Sequence, residues 1–135
     1  MSKKRSSSRR KFIKNTAVGA AGFMIVPRNI LGKGFIAPSD KLIVAGVGVG
    51  GKGRSDLSHF YESGKAEIAF LCDVDDRMSE ESRKKYPKAK YYKDWRVLFD
   101  KEAKSFDAVS VSTPDHTHAV VAMAAMRRKK HVYVQ

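Results

Sequence analysis

From residue 40 onward the sequence predicts an α/β fold, a doubly wound parallel sheet with helices on both faces. Three observations carry that expectation. Short apolar runs alternate with segments of helical period, the connections between them are brief, and a glycine cluster closes the first run.

The elements follow in order. Leu42-Ile43-Val44-Ala45 is a continuous apolar run, as a strand buried on both faces requires. Ser55–Ser63 reads as a helix with Leu57, Phe60 and Tyr61 at helical spacing, and Gly64 stands where a helix C-cap belongs. Ala66–Cys72 is a second strand, ending at Asp73. Asp76–Tyr86 is a charged helix stopped by Pro87. Lys90-Tyr91-Tyr92 suits a short strand, and Asp94 caps a helix carrying Trp95, Leu98 and Phe99. Phe106–Val111 is the next strand. Thr113 then offers an N-cap and Pro114 an N1 residue to a helix reaching Lys129, with Val120, Met123 and Ala124 turned inward. His131–Val134 begins one more strand, so the sheet is expected to be incomplete at its C-terminal side.

Composition sets the outer bounds. Hydrophobic residues make up 42% and charged residues 30%, a globular mixture. One cysteine, Cys72, excludes an internal disulfide framework and a Cys-rich metal site. The net charge of +13 points first to nucleic acid, but it is unevenly spread. Of the 27 Lys and Arg, nine precede Asp40, which is the first acidic residue; residues 40–135 therefore hold 18 against 14 acidic ones. That is an ordinary domain behind a basic leader, and no nucleic-acid partner is expected. The cluster Arg127-Arg128-Lys129-Lys130 falls at a helix C-terminus, where cations oppose the macrodipole, and no aromatic residues interleave with it to stack bases.

Residues 1–39 are expected to form a signal peptide, flexible or helical, and a linker. The run Ser8-Arg9-Arg10-Lys11-Phe12-Ile13-Lys14 is similar to a twin-arginine (Tat) export signal, an address read by a receptor. The uncharged stretch Asn15–Val26 matches a signal h-region and is too short to span a bilayer. A periplasmic or otherwise exported location and the Tat machinery as partner are the expectation. A basic arm touching lipid or nucleic acid is the plainer reading of the same residues.

Gly46-Val47-Gly48-Val49-Gly50-Gly51 satisfies G-x-G-x-x-G between a predicted strand and a predicted helix, the context that gives this short pattern weight. Gly46 permits the tight turn, Gly48 lets backbone approach a pyrophosphate, and Gly51 lets helix and strand pack closely. The amides around Val49 and Gly50 would face the anion at the helix start. Asp73, 22 residues beyond Gly51, sits where a carboxylate accepts bonds from an adenosine ribose. A carboxylate there favours NAD over NADP, while Arg77 nearby would accept a 2′-phosphate and keeps NADP open. A strand-end turn or helix cap is the structural alternative for Asp73. Flavin dinucleotides and S-adenosylmethionine use the same strand–turn–helix–acid arrangement. The expected domain is thus Rossmann-type, over residues 40–135.

Ser112-Thr113-Pro114-Asp115-His116-Thr117-His118 lies at the carboxyl end of a predicted central strand, the same edge as the glycine turn, where open α/β sheets bind ligands. His116 would face that crevice. His116 and His118 as metal ligands lack a third partner nearby, and no metal is expected.

Residues 41–135 resemble the N-terminal domain of the Gfo/Idh/MocA oxidoreductases, on KLIVAGVGVGGKG, on CDVD at 72–75, on STPDHTHAVVAMAAM at 112–126 and on the closing KHVYVQ. The resemblance implies a nicotinamide dinucleotide held by Gly46, Gly48 and Gly51 with Asp73 on the ribose, and Ser112, Thr113, Pro114 and His116 along the cofactor toward its nicotinamide end. It also implies hydride transfer on sugars, inositols or related polyols, with some members retaining the cofactor through a full redox cycle. Val134 and Gln135 match the start of a family strand that continues Lys-Pro, so the family's lysine and its substrate domain are expected beyond Gln135. On that expectation the chain is a truncated dinucleotide-binding domain that binds cofactor at most, with no catalytic residue assigned; a homo-oligomer of the longer protein is left open. A non-catalytic nucleotide-binding module and an S-adenosylmethionine-dependent methyltransferase are the alternative readings.

Overall fold

A computed structural model describes residues 40–135; the leader and its twin-arginine run lie outside the described residues. Five strands and four helices alternate: β1 (Leu42–Val47), α1 (Gly51–Glu62), β2 (Ala66–Cys72), α2 (Asp76–Lys85), β3 (Lys90–Tyr92), α3 (Trp95–Glu102), β4 (Ala108–Val111), α4 (Asp115–Arg127) and β5 (His131–Val134). All pairings are parallel, in the order β3-β2-β1-β4-β5. The expected Rossmann-type doubly wound sheet is therefore present. Because the order reverses between β1 and its two neighbours, the carboxyl ends of β1 and β4 flank a topological switch point.

Each face of the sheet has its own core. One packs Ala45, Val47, Phe70, Val109 and Val111 under α3 and α4 through Leu98, Phe99, Val121 and Ala125. The other packs Val44, Ile68, Leu71 and Ala108 with Leu57 of α1 and Tyr86 beyond α2. Strand alternation sends successive residues to opposite cores, with one interruption. Val44 pairs with Ile68 but Ala45 pairs with Phe70, so Ala69 is an extra residue in β2. This bulge reverses the phase of every β2 residue after it. Leu71 thereby faces the α1 side, and Asp73, two residues on, follows it.

Several boundaries differ from the sequence expectation. α1 begins at Gly51 instead of Ser55, since the glycine turn winds directly into the first helical turn although glycine is a poor helix former. β4 begins at Ala108 instead of Phe106, because the Asp107 carboxylate accepts from the Ile43 amide at 2.9 Å and stands in for a ladder partner. α4 is turned by about one residue from the expected face. Val121, Ala122 and Ala125 are buried, while Val120 and Met123, expected inward, are 55% and 47% exposed.

Candidate functional site

A cleft of about 660 Å³ opens at the carboxyl edge of the sheet, in the range of cofactor sites. Gly48, Gly50, Gly51, Asp73, Ser112, Thr113, Pro114 and His116 all line it. Gly46 and Val49, also expected at the site, lie behind it: both are buried, and the Val49 carbonyl accepts from Ser82 Oγ at 2.6 Å.

The glycines have distinct reasons. A Cβ on Gly46 would stand 2.7 Å from Leu57 Cδ1, so this position keeps the turn tight against α1. Gly48 has φ +78°, and a Cβ there would meet the Ser112 carbonyl oxygen at 2.6 Å; glycine joins the two walls of the cleft at this point. Gly51 has φ +42° but open space around it. Its expected role, close helix–strand packing, belongs instead to Gly53, whose Cβ would overlap the Gly48 carbonyl oxygen. The motif pattern stops at residue 51, so it missed Gly53; the recurrence of glycine two residues later was the available signal.

Asp73 occupies the turn more intimately than expected. Its Oδ2 accepts from the amides of Val49 at 2.9 Å and Gly50 at 3.1 Å, and its Oδ1 accepts from Asp75 at 3.0 Å. The Val49 and Gly50 amides, expected to serve an anion, are thus already paired. What remains is the start of α1: the first N–H groups of a helix have no intrahelical partner, and Gly50 as N-cap supplies no side chain to them. A carboxylate offers about four lone-pair positions, so Asp73 retains one, on Oδ1. Tyr91 secures the same residue from behind, its hydroxyl donating to the Asp73 carbonyl at 2.7 Å.

The opposite wall is the segment after β4. Thr113 and Pro114 were expected at N-cap and N1; the helix begins at Asp115, with Pro114 at the cap position. Thr113 lies one residue too far back to cap, and its hydroxyl is buried without a partner. The His118 ring turns back so that Nε2–H donates to the Thr113 carbonyl, which fixes the tautomer and directs the side chain to the loop. Thr117 Oγ1 donates to the Pro114 carbonyl at 2.8 Å. His116 remains exposed at the cleft.

Further lining residues were not anticipated: Val74, Met78, Lys93, Asp94, Trp95 and Arg96. Those at 93–96 follow β3, and the rule that every loop after a parallel strand shares one edge would have found them. Charge around the cleft is organised in pairs. Arg77 lies against Asp75, with Nε at 3.3 Å and Nη2 at 3.1 Å, and this holds the Asp75 carboxyl below the usual range. Lys93 at 2.6 Å does the same for Asp76. On the floor, burial pushes the Cys72 thiol up to about 12, so it stays protonated.

Such a cleft fits an adenosine diphosphate group. It offers outward helix amides for the diphosphate, a carboxylate position for a ribose hydroxyl, an unpartnered Thr113 hydroxyl, and glycines where side chains would fill the space.

Comparison with known proteins agrees. Residues 42–135 match the family model described as the oxidoreductase family with an NAD-binding Rossmann fold, Gfo/Idh/MocA. An alpha-N-acetylgalactosaminidase of Shewanella oneidensis is 30% identical over 134 residues, covering 90% of this chain and 29% of that protein. The chain thus spans under a third of that relative's length. Among solved structures, an NAD-binding oxidoreductase from Klebsiella pneumoniae is 30% identical with a TM-score of 0.55, covering 70% of this chain and 26% of that one. The WlbA dehydrogenase from Bordetella pertussis, in complex with NADH and UDP-GlcNAcA, has a TM-score of 0.62 at 19% identity, covering 70% and 28%. That last likeness speaks for the fold alone. With the glycine turn, the acidic strand end and the matched length taken together, this chain belongs to the Gfo/Idh/MocA oxidoreductase family and carries its NAD-binding Rossmann fold.

Proposed function

We propose that residues 40–135 are the cofactor domain of an exported oxidoreductase acting by hydride transfer on a sugar or polyol. One observation carries the reading: the glycine turn, Asp73 and the Ser112–His116 loop converge on a single cleft at the β1/β4 switch point. In this reading the diphosphate lies at the first amides of α1, beside Gly48, Gly50 and Gly51. Asp73 Oδ1 accepts a ribose hydroxyl, and exposed Val74 and Met78 offer apolar surface to the adenine. Ser112, Thr113, Pro114 and His116 line the path of the nicotinamide half.

NAD bound there supplies hydride exchange, while the protein contributes orientation and electrostatics. Asp73 would oppose a 2′-phosphate, and Arg77 is engaged by Asp75, which together support NAD over NADP. No residue of this chain is assigned a proton-transfer step.

Sugar chemistry is supported by the name of the Shewanella relative, a glycosidase. A hydride that leaves the sugar and later returns would serve a net hydrolysis and would require a cofactor that stays bound. The leader supports the same feature: the twin-arginine route carries folded proteins, so the domain would close around NAD(H) before leaving the cytoplasm. Expressing the full chain in a Tat-competent bacterium and fractionating it tests both parts. NAD(H) in acid extracts of the exported protein is expected, with export lost in the Arg9→Lys, Arg10→Lys double variant. An extract without nucleotide, or unchanged export of the variant, contradicts the corresponding half.

A further inference from the structure

Asp56 is 4% exposed, on the face of α1 that meets the sheet, beside the core residue Leu57. A carboxylate is an expensive choice for such a position, where an apolar side chain would pack without needing partners. Both of its oxygens are engaged. Oδ2 accepts from Ser112 Oγ at 2.9 Å, and Oδ1 accepts from Lys52 Nζ. Asp56 does not line the cleft, yet it joins the helix that begins at the glycine turn to the first residue of the opposite wall.

Ser112 is held on its other sides as well. Its amide donates to the Val47 carbonyl at 2.9 Å, and its carbonyl is pressed against Gly48. Beyond it, the Thr113 carbonyl is bound by His118. The bond to Asp56 is the one side-chain tie, among those described for Ser112, that reaches across to α1. Remove it and the two walls stay connected through backbone packing and the contact of Ser112 Cβ with Gly53, with no polar side-chain bond between them, so their spacing is set less sharply. The adenosine half of the cleft, made by the turn and Asp73, does not depend on this bond.

We infer that Asp56 is a positioning residue for the cofactor loop: by holding Ser112 against α1 it sets where Thr113 to His116 stand along the nicotinamide half of the cleft. This rests on the dinucleotide reading above and adds a residue that neither the motif nor the fold assigns.

The test titrates the full 135-residue chain with NADH and, separately, with ADP, which probes the adenosine diphosphate half alone. Asp56→Ala is expected to weaken NADH by about tenfold, the scale of one charge-assisted hydrogen bond, and to leave ADP within about twofold. Asp56→Asn keeps an oxygen for Ser112 Oγ and should recover most of the loss. Ser112→Ala leaves Asp56 paired with Lys52, so it carries the test if Asp56→Ala does not fold. It should match the Asp56→Ala loss, and the double variant should be no worse than either single one. Equal loss of NADH and ADP, additive losses, or unchanged NADH binding in Ser112→Ala would overturn the positioning role and leave the dinucleotide reading standing. A wild-type chain that binds neither ligand removes that reading and this inference with it.

Discussion

Gly53 packs its α-carbon directly over the carbonyl oxygen of Gly48, so that any Cβ at residue 53 would overlap it. The contact locks the first turn of α1 onto the glycine turn and fixes where the helix amides point. Gly53→Ala should therefore cost about 3 kcal/mol or prevent folding, because the clash is with backbone and has no rotamer to relieve it. Gly51→Ala should cost about 1–2 kcal/mol, as its positive φ is strained but the surrounding space is open. Thermal melts of the two variants check the order; a Gly51 variant less stable than the Gly53 variant would refute it.

The bulge at Ala69 places Asp73 on the α1 side of the sheet. Deleting Ala69 removes only the extra residue and leaves Phe70 to Asp73 in their present register and facing, whereas inserting one alanine between Leu71 and Cys72 moves Asp73 one place along and turns the carboxylate toward the other face. The insertion should weaken NADH binding by more than about a hundredfold, while the Ala69 deletion, which keeps the register after it, should lose less than about tenfold. Titration by protein-to-nicotinamide fluorescence transfer distinguishes the two.

Asp75 caps α2, accepting the Arg77 amide at 2.9 Å, and restrains the Arg77 guanidinium. Asp75→Ala should cost about 1 kcal/mol of stability through the lost cap and should free the cation. The preference for NADH over NADPH should then narrow by about fivefold to tenfold, read from the two dissociation constants.

Cys72 reports on the cleft floor. Its thiol is raised from 9.0 to about 12, by burial first and by the charge of Asp73 second. The folded state thus holds the proton where the unfolded chain loses it. Stability is unaffected by this group below pH 9 and declines as pH climbs from 9 toward 12. At pH 8 an aromatic disulfide should label Cys72 no faster than the protein opens, and at once in denaturant.

Much of the fold was legible because burial on both faces writes itself into the chain as apolar runs, and helices 76–85 and 95–102 carry their own N-caps, Asp75 and Asp94. Periodicity misplaced the inward face of α4, since a helix rich in alanine and methionine shows little contrast between faces. The bulge was invisible: nothing in Ala66–Cys72 distinguishes Ala69 from its neighbours, and only pairing with β1 reveals it. The site was legible as far as loop chemistry goes, in the glycines, Asp73 and Ser112–His116. Gly53 and Asp56 escaped because their roles arise from contacts with Gly48 and Ser112, the latter 56 residues away.

Amide chemical shifts followed by NMR during titration with NADH probe the cleft itself. The account predicts the largest changes at Gly51, Lys52, Gly53, Asp73 and Thr113, with Lys41 and Lys88 at the far edge of the sheet unmoved. Saturable changes confined to that far edge, or none at millimolar NADH, would contradict it.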